Sequence, residues 1–399
     1  MRRSGTLAVF VLLVVGLTAF LAACGGGSGG GEGGGGVTAI SSTSQGAQAT
    51  AASVNTSRSV ITAGVSLSNI ASGGFGQNAP KMRVPGGATA KTIALNKFAA
   101  RFGPVVKKAR AMQVSAQGFP MTTSCDSQVT GTVAAGSPNS ITIDMDAEGT
   151  QASIVYNQCR ELYSLINGTF IMSNTGQNTA TLTIGSDTTP FTEKLFSSST
   201  ATVPDSRSET SATMSLSMTG TAPSLTATMS VSGWFENWDY VLDTHDRQDM
   251  TGVSMTATSG TATISGANYD VQTLTINGSM SNKTYSTAAG TSFVSESSSF
   301  TNFAITGKFP ASGSTGNEYL TMNGTFSINT GNACIDGTFS IVTNTDILID
   351  SLGVTQAGKM TINGNTVVTF LANGSVSVSV GGAALVTYTE SELSALCPL

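Results

Sequence analysis

The sequence predicts a mainly β fold: a large, strongly curved antiparallel sheet, either a half-barrel or a barrel-like sandwich, with a short helical N-terminal region. Three observations carry this. From Cys125 onward, apolar and hydroxyl residues alternate with period two, the pattern of strands with one buried and one solvated face. Turn-forming clusters such as Asn329-Thr330-Gly331-Asn332 separate the runs. Glycine recurs in the apolar phase, as in Ile166-x-Gly168-x-Phe170, Val231-x-Gly233-x-Phe235, Ile276-x-Gly278-x-Met280 and Ile305-x-Gly307-x-Phe309. A glycine there permits a bend or a close backbone approach. Repeated across neighbouring strands, it curls a sheet.

Residues 1–23 have the form of a secretory signal. Arg2 and Arg3 precede an apolar run from Leu7 to Phe20, and Leu21-Ala22-Ala23-Cys24 follows. The run is short of the roughly 20 apolar residues that a membrane span needs. Leu-Ala-Ala-Cys resembles the lipobox of bacterial lipoproteins. That resemblance implies cleavage before Cys24 and diacylation of Cys24, so that the chain meets the membrane through a lipid anchor. Gly25, where an Asp would favour inner-membrane retention, implies by the same resemblance the outer membrane, on its periplasmic or cell-surface side. The lipidated cysteine and the glycine-rich stretch to Gly36 make residues 24–36 a flexible tether.

Residues 37–120 are expected to be partly helical. Residues 37–74 are rich in alanine, serine and threonine. Over 91–112, Leu95, Phe98, Phe102 and Val105 recur at helical spacing among six basic residues, with Gly103-Pro104 as a kink. Such a helix packs on the sheet with its charges solvated, or it touches anionic lipid.

Residues 121–399 are expected to form the sheet. Ala212, Met214, Leu216 and Met218 mark one strand, Leu225, Ala227, Met229 and Val231 another, and Val376, Val378 and Val380 a third. With a tight turn at 329–332, Phe326 faces Ile335 and Met322 faces Phe339, apolar against apolar. Asn167-Gly168, Asn277-Gly278 and Asn323-Gly324 carry their glycines in the apolar phase. They therefore belong inside strands, despite the usual preference of Asn-Gly for hairpin turns. Cys125, Cys159, Cys334 and Cys397 form an even set for an oxidising compartment. Three pairings exist. Cys125–Cys159 and Cys334–Cys397 are favoured, because each pair brackets one local stretch of strands.

Charged residues make up 10% of the chain, against about 25% in ordinary soluble domains. There are 18 basic residues, two of which leave with the signal, against 23 acidic ones. This excludes a basic nucleic-acid footprint. The stretch from Cys125 through Ile141-x-Ile143-x-x-Asp146 to Cys159 and Ile166-Asn-Gly-Thr-Phe170, together with Gly358-Lys-Met-Thr-Ile-Asn-Gly364, resembles uncharacterised proteobacterial outer-membrane lipoproteins of β-rich type. That resemblance implies a lipoprotein and no activity.

His245 is the only histidine, so any nucleophile–histidine–acid triad must use it. With Trp234, Trp238 and Asp243 it forms the densest aromatic and charged stretch, either a binding surface or the polar end of a hairpin. Asp144, Asp146 and Glu148, followed by Gly149, match half of a calcium loop. The twelfth position is Val155 rather than glutamate, so a charged turn is the better reading and no metal is expected. No cofactor is expected either. Three function classes remain. The first is a non-enzymatic structural or interaction lipoprotein, with an envelope protein as its partner. The second is a carrier of a lipid or other apolar ligand on the concave face. The third is an enzyme built on His245.

Overall fold

A computed structural model describes residues 37–54, 56–57, 120–125, 137–146, 151–161, 163–176, 179–221, 224–311, 316–331, 336–351 and 354–396. The signal, the tether, the 91–112 segment, Glu148, Cys334 and Cys397 lie outside these residues. Among the described residues, one antiparallel sheet holds seventeen strands. They are β1 (Met121–Ser124), β2 (Ser140–Met145), β3 (Gln151–Glu161), β4 (Ser164–Gly176), β5 (Thr179–Ile184), β6 (Phe191–Leu195), β7 (Ser206–Thr221), β8 (Ser224–Asp239) and β9 (Thr244–Ile264), followed by β10 (Ala267–Tyr285), β11 (Phe293–Pro310), β12 (Glu318–Asn329), β13 (Gly337–Ile349), β14 (Thr355–Ile362), β15 (Thr366–Phe370), β16 (Val376–Val380) and β17 (Val386–Tyr388). Helix α1 covers 43–54 and continues at 56–57, and α2 is Glu390–Leu396. Each strand pairs with its neighbour in the chain. The one variation is that β5 and β6 lie end to end between β4 and β7. The path is an up-and-down meander.

The expected strands are present. Met214, Ala227, Met229, Val231, Val376, Val378 and Val380 are buried on one face. Asn167-Gly168, Asn277-Gly278 and Asn323-Gly324 do lie inside strands, at register slips. The β10–β11 register slips at Ile276/Gly278, and β8–β9 slips at Val231/Gly233. The slips of β11–β12 at Thr301/Ala304 and of β12–β13 at Leu320/Asn323 continue the line. The extra residues, one at the first three slips and two in β13 at the last, bend the strands and increase their twist. Gly278, at φ 101°, shows why glycine is needed. A Cβ there would sit 2.4 Å from the carbonyl oxygen of Gly252 and 2.6 Å from the Cα of Val253.

Helix α1 lies on the inner face. A Cβ on Gly46 would touch Val378, Thr366 and Val380, and the Ser57 hydroxyl donates to the Met322 sulfur at 2.8 Å. Sequence periodicity gives no sign of this helix because it is buried nearly all round. Ala47, Ala49, Ala51 and Ala52 are buried, and so are Thr50, Ser53 and Ser57. No apolar stripe results. The hydroxyls of those three are satisfied by the carbonyls of Gly46, Ala49 and Ser53, four residues back. A local signal was present at the N-terminus: the Gln45 amide donates to Ser42 Oγ, while Gln45 Oε1 accepts from the Ser42 amide, a capping box. Ile40 and three alanines of α1 join one continuous core that runs from Ile141 to Val380.

The β12–β13 hairpin corrects the expected register. Phe326 pairs with Phe339 rather than Ile335, and Ile328 with Gly337. The connection is longer than a tight turn. The Asp336 carboxylate closes it by accepting from the amides of Thr330 and Gly331 and from the Thr330 hydroxyl. The partner moves by an even number of residues, so the apolar face is kept. Cys125 and Cys159 are disulfide-bonded, with a Cα–Cα distance of 5.4 Å, and both are buried.

Candidate functional site

Strands β7–β11 run past the last core residues of this region, among them Ala212, Val231, Met250 and Met280. The overhang is organised on the outer face by rows of directly opposed residues. One row is Arg207, Trp238, His245, Tyr285 and Phe293. Adjacent strands lie about 4.8 Å apart, which suits stacked rings. His245 is sandwiched with its ring centroid 3.8 Å from Tyr285 and 4.7 Å from Trp238, nearly parallel to both. Arg207 covers the Trp238 ring at 4.8 Å, and Phe293 packs tilted on Tyr285 at 5.3 Å.

The next row is Glu209, Glu236, Arg247 and Lys283. Two glutamates directly opposite each other repel, so each is clamped by a cation. Arg207 pairs with Glu209. Glu236 accepts from Arg247 Nη1 at 3.1 Å through one carboxylate oxygen and meets His245 Nε2 at 2.8 Å through the other. Arg247 also binds Asp249 at 3.0 Å and covers Trp234 at 4.5 Å. Partial burial works against the Arg247 charge, but Asp249 and Glu236 hold its pKa above the ordinary value. Asp187 reaches in from the β5–β6 loop. It accepts from Ser211 at 2.8 Å and Trp234 Nε1 at 2.9 Å, and these two bonds lower its pKa.

The structure therefore brings Trp234, Trp238 and His245 onto one face. Asp243 is not part of that set. Its carboxylate accepts the Ala288 amide at 2.9 Å, tying the β8–β9 turn to the β10–β11 loop. The aromatic faces that would make a binding surface are occupied by Arg207, Arg247, His245 and Tyr285. His245 is 6% exposed. Its Nε2 is on Glu236, and its Nδ1 has no hydrogen-bond partner. An acid and a histidine meet, but among the described residues no nucleophilic hydroxyl is bonded to the ring, so two of a triad's three members are in place. Sequence reading missed Arg207, Glu236, Arg247, Lys283, Tyr285 and Phe293. Their signal was period-two aromatic and charged alternation, as in Trp234-x-Glu236-x-Trp238 and His245-x-Arg247-x-Asp249.

Asp144 lies on β2, opposite Ser153 in the β2–β3 hairpin, and the Asp146 amide donates to the Gln151 carbonyl. Among the described residues, no three His, Cys, Asp or Glu side chains converge as a cation site. No described helix is long and apolar enough to cross a membrane. No protein-family model, curated protein or solved structure matches this chain.

Proposed function

We propose that this chain is an outer-membrane-anchored lipoprotein whose folded part has a non-enzymatic structural or interaction role. The observation that carries this reading is the filled inner face. Ile276, Phe303, Ile305, Phe326, Ile341 and Val368 are all at 0% exposure. A carrier of apolar ligands needs an apolar space that its own side chains leave open. At these six positions the side chains are wholly covered, so none of them lines a space open to solvent. The aromatic ladder supports the same reading, since its ring faces are stacked on or covered by one another and by Arg207 and Arg247. Cys24 behind Leu21-Ala22-Ala23 supports the anchor, and the Cys125–Cys159 bond suits an oxidising envelope compartment.

The test is native mass spectrometry of a secreted Cys24→Ser form, with the same sample denatured beside it. A bare mass, reduced by two hydrogens for each disulfide, is expected. An apolar species that leaves on denaturation overturns the reading in favour of a carrier. Replacement of His245 checks the enzyme class, because a lost activity would establish one.

A further inference from the structure

We infer that the sheet end at which the N-terminal segment enters is a lipid-docking rim, held against the bilayer that carries the Cys24 anchor. This rests on the lipoprotein reading. The chain enters the described fold at Val37, and Thr38 is pinned to the start of β13. The Thr38 amide donates to the Thr338 carbonyl at 2.8 Å, and the Thr338 amide donates to Thr38 Oγ1 at 2.6 Å. In an antiparallel meander every second turn lies at the same end. The start of β13 therefore shares its end with the β3–β4, β6–β7, β8–β9, β10–β11 and β16–β17 connections.

The exposed large apolar side chains collect at that end. Tyr163, Val203, Val241, Leu242, Phe293 and Leu385 are 56%, 75%, 72%, 72%, 49% and 61% exposed. Among the described residues, only Val155 and Val342 show comparable exposure away from this end. The β8–β9 turn is the most prominent. The Asp239 carboxylate accepts the amides of Val241 and Leu242 at 3.0 and 2.9 Å, which fixes two apolar residues at the tip.

The chain outside the described fold selects the occupant. From Gly25 to Gly36 the sequence is nearly all glycine. A flexible glycine chain of that length has an r.m.s. span of about 20 Å. The anchor therefore holds this end close to the membrane and supplies the association, so a weak apolar contact suffices. An apolar rim that carries Tyr163 and Tyr240, both exposed, suits the headgroup–acyl boundary.

The experiment uses the full lipidated chain in phosphatidylethanolamine–phosphatidylglycerol vesicles with brominated acyl chains. Leu242→Trp places a reporter on the rim, and Ala267→Trp places one at the opposite end, where Ala267 is exposed. The mass of the Cys24 peptide is read on the same sample. Lipid on Cys24 with at least twofold stronger quenching for Leu242→Trp than for Ala267→Trp is the expected result. Lipid on Cys24 with equal quenching overturns the inference and leaves the lipoprotein reading intact. Absence of lipid on Cys24 overturns the lipoprotein reading itself. Unquenched Leu242→Trp that shifts with protein concentration, a shift abolished by Val241→Asp, also overturns the inference and makes the rim a contact between copies.

Discussion

The Asn277 carboxamide oxygen accepts the backbone N–H of Asn302 at 2.6 Å. Asn302 is a bulged residue of β11 at φ 47°, and Gly278, next to Asn277, sits opposite the same slip. The arrangement recurs: Asn167 accepts the amide of Gln158, at φ 48°, and Asn323 accepts the amide of Thr343. In each case the asparagine satisfies an amide that the slip takes out of the ladder, while the glycine admits the displaced backbone. At these three sites the Asn-Gly pair is thus a bulge device, whereas Asn363-Gly364 and Asn373-Gly374 form the β14–β15 and β15–β16 turns.

Gly278→Ala is expected to cost about 3 kcal/mol, because φ 101° is strained for alanine and its Cβ meets backbone rather than a movable side chain. Gly266, in the β9–β10 turn at φ 83° with nothing within 4 Å, should cost only about 1 kcal/mol on the same change. Asn277→Ala should cost about 1 kcal/mol for the lost hydrogen bond. Urea unfolding of the three variants checks the order. Equal losses at the two glycines would show that close backbone approach is not what requires Gly278.

Glu236 is the hub of the outer-face ladder. Glu236→Ala leaves His245 Nε2 and one Arg247 nitrogen without partners in a largely buried place. A loss of about 2–3 kcal/mol is expected. Glu236→Gln keeps the shape and one acceptor and should lose about 1 kcal/mol. Trp238 lies in the same stack, so its fluorescence should follow the loss. A stable alanine variant with unchanged fluorescence would mean that the overhang is held by its backbone alone.

Legibility divided along a physical line. Alternation within one strand is local, and the burial of Met229, Val231 and Val378 could be read from it. The glycine phase is local as well, so Asn277-Gly278 could be placed inside a strand. Register is not local. The β12–β13 pairing depends on how Asp336 closes its loop, and the ladder joins Arg207 to Phe293 across five strands. Trp234, Trp238 and His245 could be found as neighbours in sequence. Lys283 and Tyr285 enter only once the register is known. Helix α1 falls in the N-terminal region expected to be partly helical, but its place there could not be read: burial on nearly every side removes the apolar stripe by which helices are recognised.

Asp246 gives a pH signature. It lies on the face opposite His245, beside Asn237. Burial raises its pKa above the ordinary carboxylate value, and the Asn237 hydrogen bond only partly offsets this. The native state therefore holds the proton more tightly than the unfolded chain does. The stability linked to it is fully present below the unfolded pKa. It declines as pH rises through the raised native value and is level above that. Asp246→Asn removes this slope, so the variant should gain on the parent as pH rises through the window and keep a constant advantage beyond it. Unfolding midpoints from about pH 3 to about pH 8 test this. A difference that does not change with pH would refute it.

The seating of α1 can be tested at Gly46. An alanine there would gain about 1 kcal/mol of helix propensity. Its Cβ would lie 2.8 Å from a Val378 methyl and about as close to Thr366 and Val380. Both valines are buried and β-branched, with little freedom to move aside. The two effects oppose each other, and Gly46→Ala should lose about 1 kcal/mol net. Gly46→Leu forces several more atoms against β15 and β16 and should lose about 3 kcal/mol or more. If both variants were as stable as the parent, α1 would not be fixed on β15 and β16. The filled interior would then be open to displacement by a ligand, and the carrier reading would regain its ground.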